Sequence, residues 1–317
     1  MAKSGRNIDN VSDTARWVAR YRAIESGRPD AIFKDPFAER LAGEKGKAIV
    51  AHSPRQTRNG WPVVARTKAI DDMVLASLAD GCDCVVNLAA GLDTRPYRLP
   101  LPPSLRWIEA DLPAMIDEKA RLLANETPSC ELVPAKVDLS DASERASFLT
   151  TAIDGRQRVL VISEGLLMYL NEDTVRSLAR DLDRPAVAWW VFDTISPLVR
   201  EGVMKAMPDD LSNAPMLFSP PNGVAFFEAL GWKTLEARSA LHDARRLRRL
   251  PTLAVIHSRQ ISFSLNRGCW LSRAVLLQAI LRRPARPVRR NCLAQRVALS
   301  HGTASCPQKS HRYPAQM

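Results

Sequence analysis

The stretch VVNLAAGLDTRPYRL, residues 85–99, decides how the rest of the chain is read. It opens as a short apolar run, passes through a turn of small residues ending in Gly91, and continues with Asp93, Thr94 and Pro96, residue types that open helices. A strand that runs into a tight turn and then a helix points backbone N–H groups at whatever occupies the turn. Several nucleotide-binding folds share this device, and the string is not the GxGxxG of dinucleotide-binding domains.

Outward from it the pattern repeats. Apolar runs recur as CVVNLAA (84–90), LRWIEADLP (105–113), ELVPAKVDL (131–139), RVLVISEG (158–165) and AVAWWVFD (186–193), with helical stretches at 114–125, 142–153 and 171–182. Strands alternating with helices predict an α/β domain, a Rossmann-like doubly wound and mostly parallel sheet covered on both faces. Such sheets bind ligands beyond the carboxyl ends of their strands. Gly91, Asp111, Asp138 and Glu164 each stand at the end of one of the first four runs. Any one of them is as readily an ordinary polar strand end, but four in register point to a site. The Asp111 carboxylate suits ribose hydroxyls. Asp138 and Leu139 suit adenine, the carboxylate accepting from the exocyclic amine and a backbone N–H donating to a ring nitrogen. Glu164 would face the cationic end of such a ligand.

Three segments are expected: an N-terminal helical cap at 1–75, the ligand-binding domain at 76–243, and a basic, acid-free tail at 244–317. In the cap, Trp17, Val18, Tyr21 and Ile24 recur at helical spacing behind Ser12 and Asp13, either of which would cap the helix. A second helix is expected at 32–41, with Asp35 and Pro36 near its start. Further on, FFEALGWKTLEAR (226–238) fits a helix and an outer strand, and SPPNG before it a loop bordering the substrate pocket.

The 317 residues carry a net charge of +11, which belongs to the tail alone. Beyond Asp243 there are 15 Lys or Arg and no acid, leaving 30 basic against 34 acidic residues before it. The net charge therefore says nothing for nucleic acid as the partner of the main domain. No apolar stretch is long enough to span a bilayer, and the polar start MAKSGRNIDN suggests no leader, so a cytoplasmic protein without membrane contact is expected. The six cysteines lack zinc-ligand spacing, so no metal site is expected and the thiols are taken as reduced and mostly buried.

Six strings, TARWVARYRAIESGRPDAIFKDPFAERLAG (14–43), ARTKAIDD (65–72), VVNLAAGLDTRPYRL, WIEADLP (107–113), KVDL (136–139) and ISEGLLMYL (162–170), resemble bacterial S-adenosyl-L-methionine-dependent methyltransferases related to leucine carboxyl methyltransferases and polyketide O-methyltransferases. The likeness runs in order from about Val11 to Pro251. It implies the class I methyltransferase type of the fold, with S-adenosyl-L-methionine as cofactor. It also implies that Asp111, Asp138, Leu139, Gly91 and Glu164 contact that cofactor and that Arg66 pairs with its methionine carboxylate. The implied activity is O-methylation of a small metabolite or carboxyl group, with a small molecule as partner.

The family pattern NLGAGLDTR is altered here to NLAAGLDTR, with Ala89 in place of a glycine. Where positive φ or close cofactor approach is needed, that methyl group costs affinity. Asp93, Thr94, Arg95 and Lys119 are expected to be structural, the first two as helix caps. None of His52, His242, His257, His301 and His311 lies in these strings, so no catalytic residue is assigned; Tyr21, Arg22 and Tyr169 are placed to border an acceptor. A non-catalytic nucleotide-binding protein of the same fold and a nicotinamide-dependent oxidoreductase are the alternatives. For the tail, an irregular or aberrant extension, such as an out-of-frame end of the coding sequence produces, is expected over a nucleic-acid arm. It would leave a closing strand missing and a sheet edge unprotected.

Overall fold

The computed structural model of the chain describes residues 8–53, 58–208, 210–251 and 276–282, all within the compact unit Met1–Pro284. Three helices come first: α1 (Asp13–Ser26), α2 (Ala38–His52) and α3 (Trp61–Ala79). The alternating part runs β1 (Cys84–Leu88), α4 (Arg95–Arg98), β2 (Arg106–Asp111), α5 (Pro113–Leu122), β3 (Glu131–Lys136), α6 (Ala142–Ala152), β4 (Val159–Ser163), α7 (Glu172–Asp181) and β5 (Val187–Ile195). Then follow α8 (Pro197–Ala206), α9 (Ala225–Glu228), β6 (Lys233–Ser239), α10 (Ala240–Arg246) and β7 (Leu276–Arg282). The sheet order is β3-β2-β1-β4-β5-β7-β6. Strands β1 to β5 are parallel, and β7 runs antiparallel to both β5 and β6.

Both faces of the sheet are covered, which is why β1 and β4 are buried at every position and apolar save for Asn87 and Ser163. Alternate residues serve opposite layers. Val86, Leu88, Val159 and Val161 join a cluster with Trp190, Phe192, Phe227 and Trp232, whose rings meet at 4.3–5.4 Å. Val85, Leu160 and Ile162 face the other way, onto Ile70, Met73 and Val74 of α3. The order reverses at β1, which pairs with β2 on one side and β4 on the other, so the crevice of such a sheet opens above these strands.

The helical cap differs in detail from its expected form. Ser12 makes no capping bond; the Asn10 side chain accepts from the Asp13 amide instead. α1 buries Tyr21, Arg22 and Glu25, a face more polar than the apolar spacing suggests. The second helix starts at Ala38 rather than near Ile32. Asp35 and Pro36 precede it, because the Asp35 carboxylate is drawn inward onto Arg22 and Thr94. Gly60 caps α3 at φ 71° beneath Tyr21, whose ring would lie 2.5 Å from any Cβ there.

One expectation about the tail is corrected by the structure, that of a missing strand. The strand thought missing is present as β7, inserted between β5 and β6, so β5 is not left as an open edge. LLQAILR is apolar but for Gln278 and the terminal Arg282 and shows no period-2 alternation, so it does not advertise itself as a strand in the sequence. The expected boundary at 243/244 cuts through α10, as that at 75/76 cuts through α3. The basic run after Asp243 is partly structural: Arg249 is buried, with Nε and Nη2 on the Glu25 carboxylate at 2.9 Å, and its carbonyl accepts from Asn59. Residues 252–275 and 283–317, with Cys269, Cys292 and Cys306, lie outside the described residues.

Cys82, Cys84 and Cys130 are free and buried. Burial raises Cys82 and Cys130 to about 11 and Cys84 to about 12, so these thiols stay protonated. Among the described residues no helix is long and apolar enough to cross a membrane, and no group of side chains suits a metal ion. Lys119, expected to be structural, donates from α5 to Glu109 of β2 at 2.6 Å, and both are buried.

Two outcomes follow from these buried pairs. Arg249→Ala should lower the unfolding free energy by about 2–3 kcal/mol, because it strands the Glu25 carboxylate in the interior; urea denaturation measures this, and an unchanged midpoint contradicts it. Burial pushes Glu109 up to about 7 despite the Lys119 ammonium. A glutamate near 4.3 in the unfolded chain holds its proton more tightly when folded, so its contribution to stability falls as pH rises from about 4.3 through the folded value. Glu109→Gln should flatten this decline, and an identical stability slope between pH 5 and 7.5 in variant and wild type would refute the assignment.

Candidate functional site

A cavity of about 400 Å³ lies above the carboxyl ends of β1, β2 and β4, roofed by α1. Its volume is in the range of small-molecule sites. Arg66, Gly91, Asp111, Asp138, Leu139 and Glu164 all line it, although they come from five separate segments. Of the residues expected to border an acceptor, Arg22 and Tyr169 line it too, whereas Tyr21 is buried against Gly60. Neither His52 nor His242 belongs to its wall.

The turn after β1 is held open from beneath. The Gly91 amide donates to Asp111 Oδ2 at 2.7 Å, and the Leu112 amide to Asp111 Oδ1 at 2.7 Å. Burial raises the Asp111 carboxyl and these two amides oppose it. Each oxygen keeps a second lone pair, so Asp111 can order the turn and accept from a ligand hydroxyl at once. Gly91 has φ 50°, and a Cβ there would sit 3.2 Å from Ala15 of α1. Ala89, where the family pattern has glycine, is itself at φ 52°. The departure noted in the sequence therefore falls on a position with left-handed backbone, which costs an L-residue about 1–2 kcal/mol.

At the far end, Asp138 Oδ1 accepts from the Ser140 amide at 2.8 Å and its hydroxyl at 2.6 Å, which hold the carboxyl below its usual range. The Leu139 carbonyl accepts from Arg145 at 2.8 Å, tying the loop to α6. The Asp141 amide also bonds the Asp138 carboxyl, and Asp138 and Leu139 stand side by side in the cavity wall, a carboxylate acceptor beside a backbone donor. That pair matches the edge of an adenine.

The opposite end is a buried ionic network that the sequence reading did not find. Arg95 donates to Asp71 from Nε and to both Asp93 and Glu164 from Nη1, at 2.7–2.8 Å. Arg66 donates to Glu164 from Nε and to Asp193 from Nη1, each at 2.9 Å. Arg98 holds Asp71 through two bonds of 2.7 Å. Asp93 also accepts from the Arg95 amide and from Asn87, so its capping role is joined to a place in the cavity wall. Thr94 makes no capping bond; its hydroxyl donates to Asp35 at 2.7 Å. Asp35 in turn accepts from Arg22, which also donates to the Leu92 carbonyl, joining α1 to the turn.

This bears on two expected roles. Burial opposes the charge on Glu164, but Arg95 and Arg66 outweigh it and hold the carboxyl below its usual range. Glu164 thus faces two guanidiniums as well as the cavity. Arg66 already has two carboxylate partners, Glu164 on Nε and Asp193 on Nη1. The local signals for this network were weak, since Asp71 and Asp193 look like ordinary helix and strand residues in the sequence.

Residues 15–183 match the family described as "Leucine carboxyl methyltransferase". A protein of Streptomyces coelicolor named "Putative S-adenosyl-L-methionine-dependent methyltransferase" is 37% identical over 177 residues, covering 52% of this chain and 62% of the relative, which is less than two thirds of its length. A Frankia alni protein of the same description is 32% identical over 249 residues, covering 72% of this chain and 86% of the relative. The crystal structure of a DUF574 family protein from Streptomyces avermitilis has a TM-score of 0.54 at 12% identity, covering 86% of this chain and 97% of that one, a likeness of fold. The sheet order agrees with that likeness, and the fold is of the class I methyltransferase type. With a family match over more than half its length and the Frankia relative aligned along most of its own, the chain belongs to the leucine carboxyl methyltransferase family of S-adenosyl-L-methionine-dependent methyltransferases.

Proposed function

We propose that the chain transfers the methyl group of S-adenosyl-L-methionine to an oxygen of a small metabolite, a hydroxyl or a carboxyl group, in the cytoplasm. The observation that carries this reading is the convergence of Arg66, Gly91, Asp111, Asp138, Leu139 and Glu164 on one cavity at the switch point of the sheet. Asp111 would accept from the ribose hydroxyls, Asp138 and Leu139 would read the adenine, and Gly91, Arg66 and Glu164 would hold the methionine end. The fit is supported by the place of Asp138 and Leu139 at one end of the cavity and of Arg66 and Glu164 at the other. When bound, the cofactor supplies an electrophilic methyl group on a cationic sulfur.

The protein's part in such a transfer is alignment and exclusion of water. α1 covers the cavity through Ala15 and Val18, and Tyr169 closes it beside Leu170. A carboxylate acceptor needs no general base, which suits a cavity whose described wall holds no histidine. The strain at Ala89 favours a second reading, a non-catalytic binding protein that keeps the fold with a weakened hold on the cofactor.

Asp111→Ala should weaken S-adenosyl-L-methionine binding by about 10–100-fold with the circular dichroism unchanged, because it removes a charged hydrogen-bond acceptor. Calorimetric titration reads this, and an unchanged dissociation constant removes Asp111 from the site. Ala89→Gly should raise stability by about 0.5–1 kcal/mol, the relief of strain exceeding the added freedom of the unfolded chain. It should also tighten cofactor binding; neutral results in both would mean that the turn already accommodates alanine. Incubation of a metabolite extract with labelled methyl donor identifies the acceptor, and transfer to nitrogen alone would overturn the oxygen assignment.

A further inference from the structure

Counting charge through the ionic network gives an imbalance. Arg66, Arg95 and Arg98 face Asp71, Asp93, Glu164 and Asp193, which is three cations against four carboxylates. The neighbouring charges pair among themselves: Arg22 with Asp35 at 2.8 Å, and Lys119 with Glu109 at 2.6 Å, the latter fully ionised only above the Glu109 value of about 7. The surplus carboxylate is therefore not neutralised from behind. Asp71 and Asp193 are 5% and 0% exposed and stand off the cavity, while Asp93 and Glu164, at 11% and 14%, line it. Arg66, Arg95 and Arg98 line it too, so the surplus acts on the cavity as the net charge of the whole network rather than from one exposed oxygen. Asp111 and Asp138 add charge of the same sign further along the wall.

We infer that this surplus charge makes the cavity selective for the net charge of its ligand, holding the cationic methyl donor in preference to the neutral product left after transfer. The inference rests on the cofactor reading above. S-adenosyl-L-methionine carries an ammonium, a carboxylate and a sulfonium, so its charged end sums to +1, which closes the network to neutrality. S-adenosylhomocysteine has lost the sulfonium charge and sums to zero, leaving one carboxylate uncompensated. In a surrounding of effective dielectric near 20, a unit charge at roughly 10 Å shifts affinity by about tenfold. Such a difference favours release of product after each turnover, with no movement of the chain required. Burial opposes ionisation of Asp93 and Glu164, but Arg95 beside both holds them below the usual carboxylate range, whereas burial raises Asp193 despite Arg66, so the count is tested at pH 8.

Three ligands separate charge from shape: the donor, S-adenosylhomocysteine, and sinefungin, in which an amine-bearing carbon replaces the methylated sulfur. Titrated at pH 8 into the full chain, S-adenosyl-L-methionine and sinefungin should each bind about tenfold more tightly than S-adenosylhomocysteine. Glu164→Gln, and independently Asp71→Asn away from the cavity wall, should reduce that preference toward parity. If S-adenosylhomocysteine binds the wild type as tightly as the two cations, or if both folded variants keep the full preference, the inference is overturned while the cofactor reading stands. Should a variant fail to fold, the wild-type ratio decides alone. Failure of all three ligands to bind removes the cofactor reading and the inference with it.

Discussion

The structure depends on one guanidinium. Arg95, 2% exposed, gathers Asp71 of α3, Asp93 of the turn after β1 and Glu164 at the end of β4. These elements pack for different reasons, the strands through apolar pairing and α3 through its contact with the sheet, and neither reason sets the geometry of the turn. A planar cation with directional donors does, because its bonds to three carboxylates can be satisfied together only when the three segments stand in one relation. Burying so many charges is costly unless all are paired, so the arrangement serves specificity of structure more than stability.

How much of this was legible depended on the range of the interaction. The strand ends, Gly91, Asp111, Asp138 and Leu139 were readable because each belongs to a local pattern, an apolar run followed by a turn. Ala89 was readable for the same reason, and its φ of 52° gives the substitution a physical meaning. The network was not readable, since Arg66 meets Glu164 and Asp193 across 98 and 127 residues of chain. Arginine and aspartate are common on helices, and nothing near Asp71 or Asp193 in the sequence distinguishes a buried ion from a solvated one.

The helical cap and the tail illustrate the same limit. Asp35 and Pro36 look like a helix start by local rules, yet the demand of Arg22 and Thr94 for the Asp35 carboxylate moves the helix to Ala38. β7 escaped notice because LLQAILR lacks the period-2 alternation by which a strand is recognised, and its pairing with β5 and β6 is long-range. Arg249 looked like one of several arginines in a basic run, and only the buried Glu25 distinguishes it.

That last pair joins residues separated by 224 positions, so helix α1 near the start of the chain is fastened to the segment following α10. In thermodynamic terms the roof of the cavity is not an independent foldon. α1 cannot detach without exposing Glu25 and Arg249, and its opening is coupled to the loosening of residues 247–251. The N-terminal cap therefore takes part of its cooperativity from the segment following α10, and the enclosure of the cavity reports on whether that segment has folded.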